Sequence, residues 1–506
     1  MTGLSGTRAA PSEASTAAVC DSNSQEFLDN VRPPDWRNPQ PSGIYDLVIL
    51  GAGPAGLLAA RGAATLGRKV ALIERNLLGG NCLSTGCVPS KALIRTSRLY
   101  ARMREAESLG VGQADTEQAD AAAAMLRIRR LQARLSRADS AIQLRERGVD
   151  LYFGTGAFIG PSRLKVDDEA VLTFRKALVA TGAQPLRPQI PGLEEAGYRT
   201  NETIFNLEAT PARLLVIGGG PLGCELAQAF CRLGSQVTIA QDEPMFLPGE
   251  ERDAAQILAE SMASDGVQTH LNTKVVGVRT EGKQKIVSLL SEDNKMTVQA
   301  DEILAGIGRV PNVEGMGLEA AQVKYDTASG IRVNDFLQTT NPRIYAAGDV
   351  CLERKFTHMA DATARMVLHN AFLRGRYRLS ALTVPWCTYT DPEIAHVGLY
   401  VREAREQSIP VKTFTILMHD VDRAVTDGDE AGFLKIHLRD GTDKILGATI
   451  VARRAGEMIN ELSLAITAGI GLRKLGRVVH AYPTQSLAIK MAADAYHRHR
   501  LSKSGR

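Results

Sequence analysis

The chain has little of what would mark it for a membrane, a nucleic acid or the outside of the cell. Its 506 residues contain no apolar run long enough for a transmembrane helix or for the hydrophobic part of a signal peptide. A cytoplasmic protein with no membrane partner is therefore expected. The formal net charge is only +4 and Lys and Arg are dispersed, so nothing points to nucleic acid as a partner. The densest basic stretch, Arg127 to Arg147, falls on Ala, Leu and Ile at helical spacing and reads as one solvated helix face. Cysteine is scarce as well: seven residues, an odd number, with no CxxC. That is not the framework of a secreted disulfide scaffold, and no metal-ligand spacing is present, so no metal site is expected. Cys20, Cys224, Cys231, Cys351 and Cys387 read as isolated thiols.

The length exceeds what one hydrophobic core supports, so two to four domains are expected. Residues 1–42 stand apart in composition, rich in Ser, Thr, Ala, Asn and Pro. They read as an extension disordered to about Phe27, followed by a proline-stiffened, extended lead, VRPPDWRNPQPSG at 31–43, into the first strand.

What is present is a nucleotide-binding pattern, twice. Residues 45–56, YDLVILGAGPAG, run from a short apolar strand into GxGxxG and on into a helix of small apolar residues ending near Leu66. Gly51 makes the turn, Gly53 lets the backbone approach a pyrophosphate, Gly56 lets the helix pack closely, and the helix N-terminus adds partial positive charge. Glu74 closes the next strand, VALIE, where a carboxylate can accept hydrogen bonds from ribose hydroxyls. The pattern returns at 214–223 as LLVIGGGPLG, with Gly218, Gly220 and Gly223 in the glycine positions. Two such fingerprints imply two nucleotides. Gln241 stands where Glu74 stands in the first unit, with Asp242 next and no nearby Arg, so NADPH or NADH preference is left open. Two further strand ends, KALVATGAQP at 176–185 and RIYAAGDV at 343–350, finish in Gly182 and Gly348. Asp349 there suits a ribityl or ribose hydroxyl or, equally, a helix N-cap.

The run GGNCLSTGCVPSK at 79–91 carries most of the chemistry. Cys82 and Cys87 are five residues apart, and a continuous helix would hold their Cα atoms at least ~7.5 Å apart, beyond the usual reach of a disulfide. The backbone must bend, and Gly79, Gly80 and Gly86 are placed to let it. In a reducing compartment such a pair reads as a catalytic, redox-active disulfide.

With these residues the chain resembles the class I pyridine nucleotide–disulfide oxidoreductases, the family of lipoamide dehydrogenase, glutathione reductase and mercuric reductase, and most of all the mercuric reductase-like members. The likeness spans about 44 to 500 and includes GIGRVPN at 306–312 and HAYPTQS at 480–486. It implies an α/β fold of two Rossmann-like domains plus a C-terminal α+β interface domain. FAD-binding residues 43–187 and 310–381 would flank an NAD(P)-binding insertion at 188–309, with homodimerisation through 382–500. It adds Pro54, Ala55, Gly80, Thr181, Gly308 and Arg309 to the cofactor-binding residues, with FAD in the first fingerprint and NADPH or NADH in the second. By the same resemblance Cys82 attacks the acceptor, Cys87 faces the flavin, and Lys91 pairs with Glu225 beside it, unless Lys91 merely snorkels from a helix.

The likeness breaks where protons are moved. Lipoamide dehydrogenase and glutathione reductase carry a His before Pro-Thr and a Glu further on, donated across the dimer interface. Here Tyr482 precedes Pro483 and Leu487 stands in the Glu position. Tyrosine is a poor proton acceptor near neutrality. His480 lies two residues upstream, where a strand-like segment would turn it to the opposite face, so it reads as structural first; whether Tyr482, His480 or the two together replace the missing pair is left open. Mercuric reductase also lacks the His, yet this chain has neither its C-terminal cysteine pair nor an N-terminal CxxC domain. The expected function is FAD-dependent electron transfer from NAD(P)H through Cys82–Cys87 to a small-molecule disulfide or metal acceptor. The alternatives are a diaphorase-type enzyme whose electrons leave directly from the flavin, and a non-catalytic flavin-binding protein.

Overall fold

The computed structural model describes residues 21–106, 110–111, 121–292, 294–373 and 375–504. Its first unit is a parallel sheet in which Val149–Phe153, Val70–Glu74, Ile44–Leu50 and Ala170–Val179 lie side by side. A hairpin of Arg163–Val166 and Gly156–Gly160 extends it antiparallel, and Ile344–Ala346 returns to pair with Ala170–Val179. The strand VALIE is buried at every position, as a parallel strand covered on both faces must be. The helix Pro54–Thr65 begins with Pro at its first position, where the missing N–H costs nothing. It packs on Thr357–Phe372 so closely that a Cβ on Gly62 would come within 2.4 Å of Leu368.

The second unit repeats the plan at smaller scale. Gln268–His270, Gln236–Ala240, Arg213–Ile217 and Glu302–Ala305 form a four-stranded parallel sheet, flanked by the antiparallel strands Thr273–Glu281, Gln284–Ser291 and Asn294–Ala300. A five-stranded antiparallel sheet then runs in the order Pro385–Thr388, Glu393–Gly398, Ile445–Ala452, Phe433–Arg439, Val411–Leu417. Ala455–Thr467 and Leu487–Ser504 supply the apolar residues that share a core with it. The architecture is α/β, with two dinucleotide-binding folds and a C-terminal α+β unit.

The N-terminal segment departs from expectation. Disorder was expected to about Phe27, but Ser22–Val31 is a helix, capped by Asp21, whose carboxylate accepts from the Ser24 N–H at 2.8 Å. The reason is tertiary: Asp21 and Glu26 pair with Arg129 and Arg137 on and beside the helix Ala121–Ser136, and Val31 is fully buried. The basic stretch is thus partly covered by acids of the same chain rather than wholly solvated. Cys20 and the rest of residues 1–20 lie outside the described residues. Among the described residues, no helix is long and apolar enough to cross a membrane.

Candidate active site

A single cavity of about 1630 Å³ is lined by residues of all three units. Ordinary small-molecule pockets hold roughly 300–1,000 Å³, so the space suits more than one extended ligand. At one end lies the first fingerprint. Gly51 takes a φ of +99°, and a Cβ on Gly56 would sit 1.8 Å from the Gly51 carbonyl oxygen. Above Gly53, by contrast, a Cβ would meet only the Gly80 Cα at 4.0 Å, leaving a cradle of the kind a pyrophosphate fills. Glu74 is buried; its two oxygens accept from the Ala52 and Asn76 N–H groups at 2.7 Å each, and burial pushes its pKa up against these bonds. A carboxylate retains further lone pairs for ribose hydroxyls.

The second fingerprint is wired the same way. Gly218 has a φ of +102°, a Cβ on Gly223 would fall 2.0 Å from the Gly218 oxygen, and Gly220 opens onto the cavity. The Gln241 side-chain oxygen accepts from the Gly219 N–H at 2.6 Å, as Glu74 accepts from Ala52. Its carbonyl is thereby engaged and its NH₂ is left as a donor. Asp242 and Lys274 line the cavity beside it. Gly56 and Gly223 themselves do not line the cavity; their absent side chains let helix and turn close up behind it.

Between these ends stands the cysteine pair. Gly80–Ser84 and Cys87–Arg104 are separate helices, broken at Thr85 and Gly86, and Cys87 is the first residue of the second. Gly79 and Gly80 have φ of +90° and +57°. Gly86 lies at φ −128° and ψ −105°, outside the helical and extended regions, and it also needs room, because a Cβ would lie 2.8 Å from the Asn81 oxygen. Cys82 and Cys87 are free thiols that share a hydrogen bond. That bond holds Cys87 below the usual thiol value, helped by Thr357 and the Lys91 ammonium against burial and Glu225. The same bond, then burial, pushes Cys82 up. Of the two, Cys87, at a helix N-terminus, is the sulfur favoured as the thiolate.

Lys91 Nζ donates to Glu225 Oε2 at 2.8 Å and stands 4.6 Å from the centre of the Tyr389 ring, while Glu225 Oε1 accepts from the Tyr389 N–H at 2.9 Å. Burial pulls the Lys91 pKa down, but Glu225 and the Cys87 sulfur outweigh it and hold the ammonium above its ordinary value. Lys91 is therefore not a snorkelling side chain. Arg309 donates to Asp349 at 2.6 Å and to the Ala183 oxygen at 3.0 Å. Asp349 lies inside the short helical turn Gly348–Val350, whose cap is Ala347, so it is an ion-pair partner and not an N-cap. Thr181 is tied to Asn312 by two hydrogen bonds, and Gly182, Gly308 and Gly348, all at positive φ, line the cavity with Pro54, Ala55 and Gly80.

Three cavity residues escaped the sequence reading: Thr357, whose hydroxyl lies 3.3 Å from Cys87 Sγ, Tyr389 and Cys387. Cys224, Cys231 and Cys351 are free thiols, each donating to a backbone carbonyl.

His480 and Tyr482 are not in this cavity. They occupy an irregular segment rather than a strand. His480 Nε2 lies 3.0 Å from Glu461 Oε1, and Tyr482 donates to Asp422 at 2.9 Å. Tyr482 is 69% exposed beside Val479 at 95%, an uncovered apolar patch on the C-terminal unit.

The family model for pyridine nucleotide-disulphide oxidoreductases matches residues 45–372, and the model for the dimerisation domain of the same family matches residues 384–493. The chain is 35% identical over 457 residues to a mercuric reductase of Streptomyces lividans, covering 89% of this chain and 96% of that one. To a dihydrolipoyl dehydrogenase of Thermus scotoductus it is 34% identical over 463 residues, covering 90% and 98%. Its fold matches the crystal structure of LpdA from Mycobacterium tuberculosis with a TM-score of 0.81 at 30% identity, over 90% of this chain and all of that one. The chain belongs to the pyridine nucleotide–disulphide oxidoreductase family. It is a flavin-dependent oxidoreductase of a family that uses FAD and NAD(P)H, and its dimerisation domain supports a homodimer.

Proposed function

We propose that the enzyme passes two electrons from NADH or NADPH to a Cys82–Cys87 disulfide, and that the resulting dithiol reduces a small disulfide or a metal ion. The observation that carries this reading is the placement of both cysteines in the cavity that both glycine fingerprints line. Gly51, Gly53 and Glu74 would hold FAD, and Gly218, Gly220 and Gln241 the nicotinamide nucleotide. Bound there, FAD supplies a two-electron carrier between nicotinamide and disulfide. Lys91, fixed by Glu225 and Tyr389, orients the reacting groups and stabilises the Cys87 thiolate electrostatically.

The outgoing step balances on this chain's own sulfurs. For a disulfide acceptor, Cys82 loses its proton, attacks one acceptor sulfur and releases the other as a thiolate. Cys87 then attacks Cys82, reforming the internal disulfide and freeing the second acceptor thiolate. The proton that Cys82 loses goes to the first leaving thiolate, and the second thiolate needs one from another donor. A tyrosine is protonated at neutral pH, and Asp422 raises its pKa further, so Tyr482 is the proton donor that the dimerisation surface offers.

The test is an anaerobic titration with NADH and with NADPH, following flavin absorbance and counting thiols. Uptake of more than one hydride equivalent with two new thiols supports the relay. Bleaching after one equivalent without new thiols overturns it and selects direct exit from the flavin.

A further inference from the structure

Residues 21–44 precede the region that the family model matches, yet Val31 and Arg32 pack against a loop that forms part of the wall of the same cavity. We infer that Arg32 and the helix before it clamp the loop Arg75–Leu78 and so retain FAD. This rests on the reading that FAD occupies the first fingerprint.

The clamped loop follows Glu74 directly, and Arg75, Asn76 and Leu77 line the cavity. Its backbone would otherwise be poorly tied on its outer side. Arg32 Nη1 donates to the Arg75 oxygen at 2.8 Å and to the Asn76 oxygen at 2.6 Å. One residue earlier, the Val31 carbonyl accepts from the Leu78 N–H at 3.2 Å, and the Val31 side chain is buried in one apolar cluster with Leu78, Ala52 and Leu72. Three backbone groups of the loop, on Arg75, Asn76 and Leu78, thus bond to two consecutive residues of the strap, partly through a charged donor, the stronger kind of hydrogen bond. On the inner side, the Asn76 N–H holds one oxygen of the Glu74 carboxylate at 2.7 Å. Arg32 therefore acts on Glu74 through Asn76: it is a positioning residue.

The strap is anchored at both ends. Upstream, Asn30 donates to Ser136 at 3.0 Å, and Asp21 and Glu26 pair with Arg129 and Arg137. Downstream, Trp36 donates to the Leu151 oxygen at 3.2 Å, and the Asn38 amide exchanges two hydrogen bonds of 2.8 Å with the Phe153 backbone. These downstream contacts cover the edge strand Val149–Phe153 and touch nothing in the cavity wall, so they serve as an internal control.

The experiment measures FAD release from the purified holoprotein by the fluorescence of freed FAD, alongside the melting temperature of the FAD-free protein, for wild type, Arg32→Met, Arg32→Lys and Trp36→Phe. Loss of two charge-assisted bonds predicts release about tenfold faster for Arg32→Met. Arg32→Lys, whose ammonium can still reach one carbonyl, should fall between. Trp36→Phe should lower the melting temperature without speeding release. Release from Arg32→Met at the wild-type rate overturns the clamp, as does equal acceleration by Trp36→Phe, which would reduce the strap to general stability. Should Arg32→Met fail to fold, Arg32→Lys against Trp36→Phe makes the same comparison. A wild-type protein that takes up no FAD overturns the underlying reading instead.

Discussion

Lys91 and Glu225 meet at 2.8 Å although they come from different units of the chain, one from the helix that begins at Cys87 and the other from the helix of the second fingerprint. Glu225 is 4% exposed, so its charge depends on this partner and on the Tyr389 N–H. Removing one member strands the other. Lys91→Met should cost about 2–4 kcal/mol, discounted from the fully buried case because the lysine reaches partly into the cavity. It should also raise the Cys87 pKa, since the ammonium lowers it. Denaturant unfolding checks the first outcome and the pH dependence of alkylation the second; an unmoved Cys87 profile would remove Lys91 from the redox site.

The sulfur pair itself predicts a pH signature. In the reduced enzyme Cys87 is held below the ordinary thiol value by Cys82, Thr357 and Lys91, so its thiolate should persist to lower pH than that of an ordinary cysteine and be lost as pH falls through the lowered value. Cys82 is shifted the other way. Alkylation at neutral pH should therefore mark Cys87 first, and mass spectrometry of the digested protein would show it. In Cys82→Ser the hydrogen bond from a thiol gives way to one from a hydroxyl, and the Cys87 value should change by less than in Thr357→Val combined with Lys91→Met. First labelling at Cys82 would overturn the assignment of the thiolate to Cys87.

The fingerprints separate the two nucleotides by mutation. A Cβ on Gly56 would sit 1.8 Å from the Gly51 oxygen, and one on Gly223 2.0 Å from the Gly218 oxygen. Backbone cannot yield as a flexible side chain can, so each alanine should cost at least the ~1–3 kcal/mol typical of overpacking. Gly56→Ala should purify with little flavin. Gly223→Ala should keep its flavin but show a dissociation constant for NADH or NADPH raised at least about tenfold. Loss of flavin from Gly223→Ala alone would exchange the two assignments.

What the sequence revealed and what it concealed divide by distance along the chain. The fingerprints were legible because strand, glycine turn and Pro-started helix are contiguous, so local rules fix them. So was the break between Cys82 and Cys87, because a helix cannot join them. Thr357 was not legible: it meets Cys87 across 270 residues, and nothing near Phe356 marks it. The helix Ser22–Val31 was hidden for a related reason. Its own composition is that of a loose tail, and its stability comes from arginines more than a hundred residues away. At Asp349 local reasoning offered a sugar-hydroxyl ligand, a cap or both; the residue lines the cavity, caps nothing, and pairs with Arg309, which the local sequence does not announce.

The replacement of the expected histidine by Tyr482 gives the last prediction. Hydrogen bonding to Asp422 keeps the phenol protonated, which suits a donor and rules out a base near neutrality. His480 is placed less favourably, since its two ring nitrogens are taken by Glu461 and the Val478 carbonyl. Tyr482→Phe should therefore leave reduction by NAD(P)H unchanged in stopped flow and slow turnover with a small disulfide by roughly 10²-fold, the lower range for loss of a general acid. Asp422→Asn keeps the phenol but lowers its pKa toward the ordinary value, so it should slow turnover less and only at high pH, where the phenol would begin to lose its proton. His480→Gln should leave both half-reactions near wild type. If His480→Gln is the slow variant and Tyr482→Phe is not, the proton comes from the imidazole, and the Glu461 contact is what holds that ring in its working orientation.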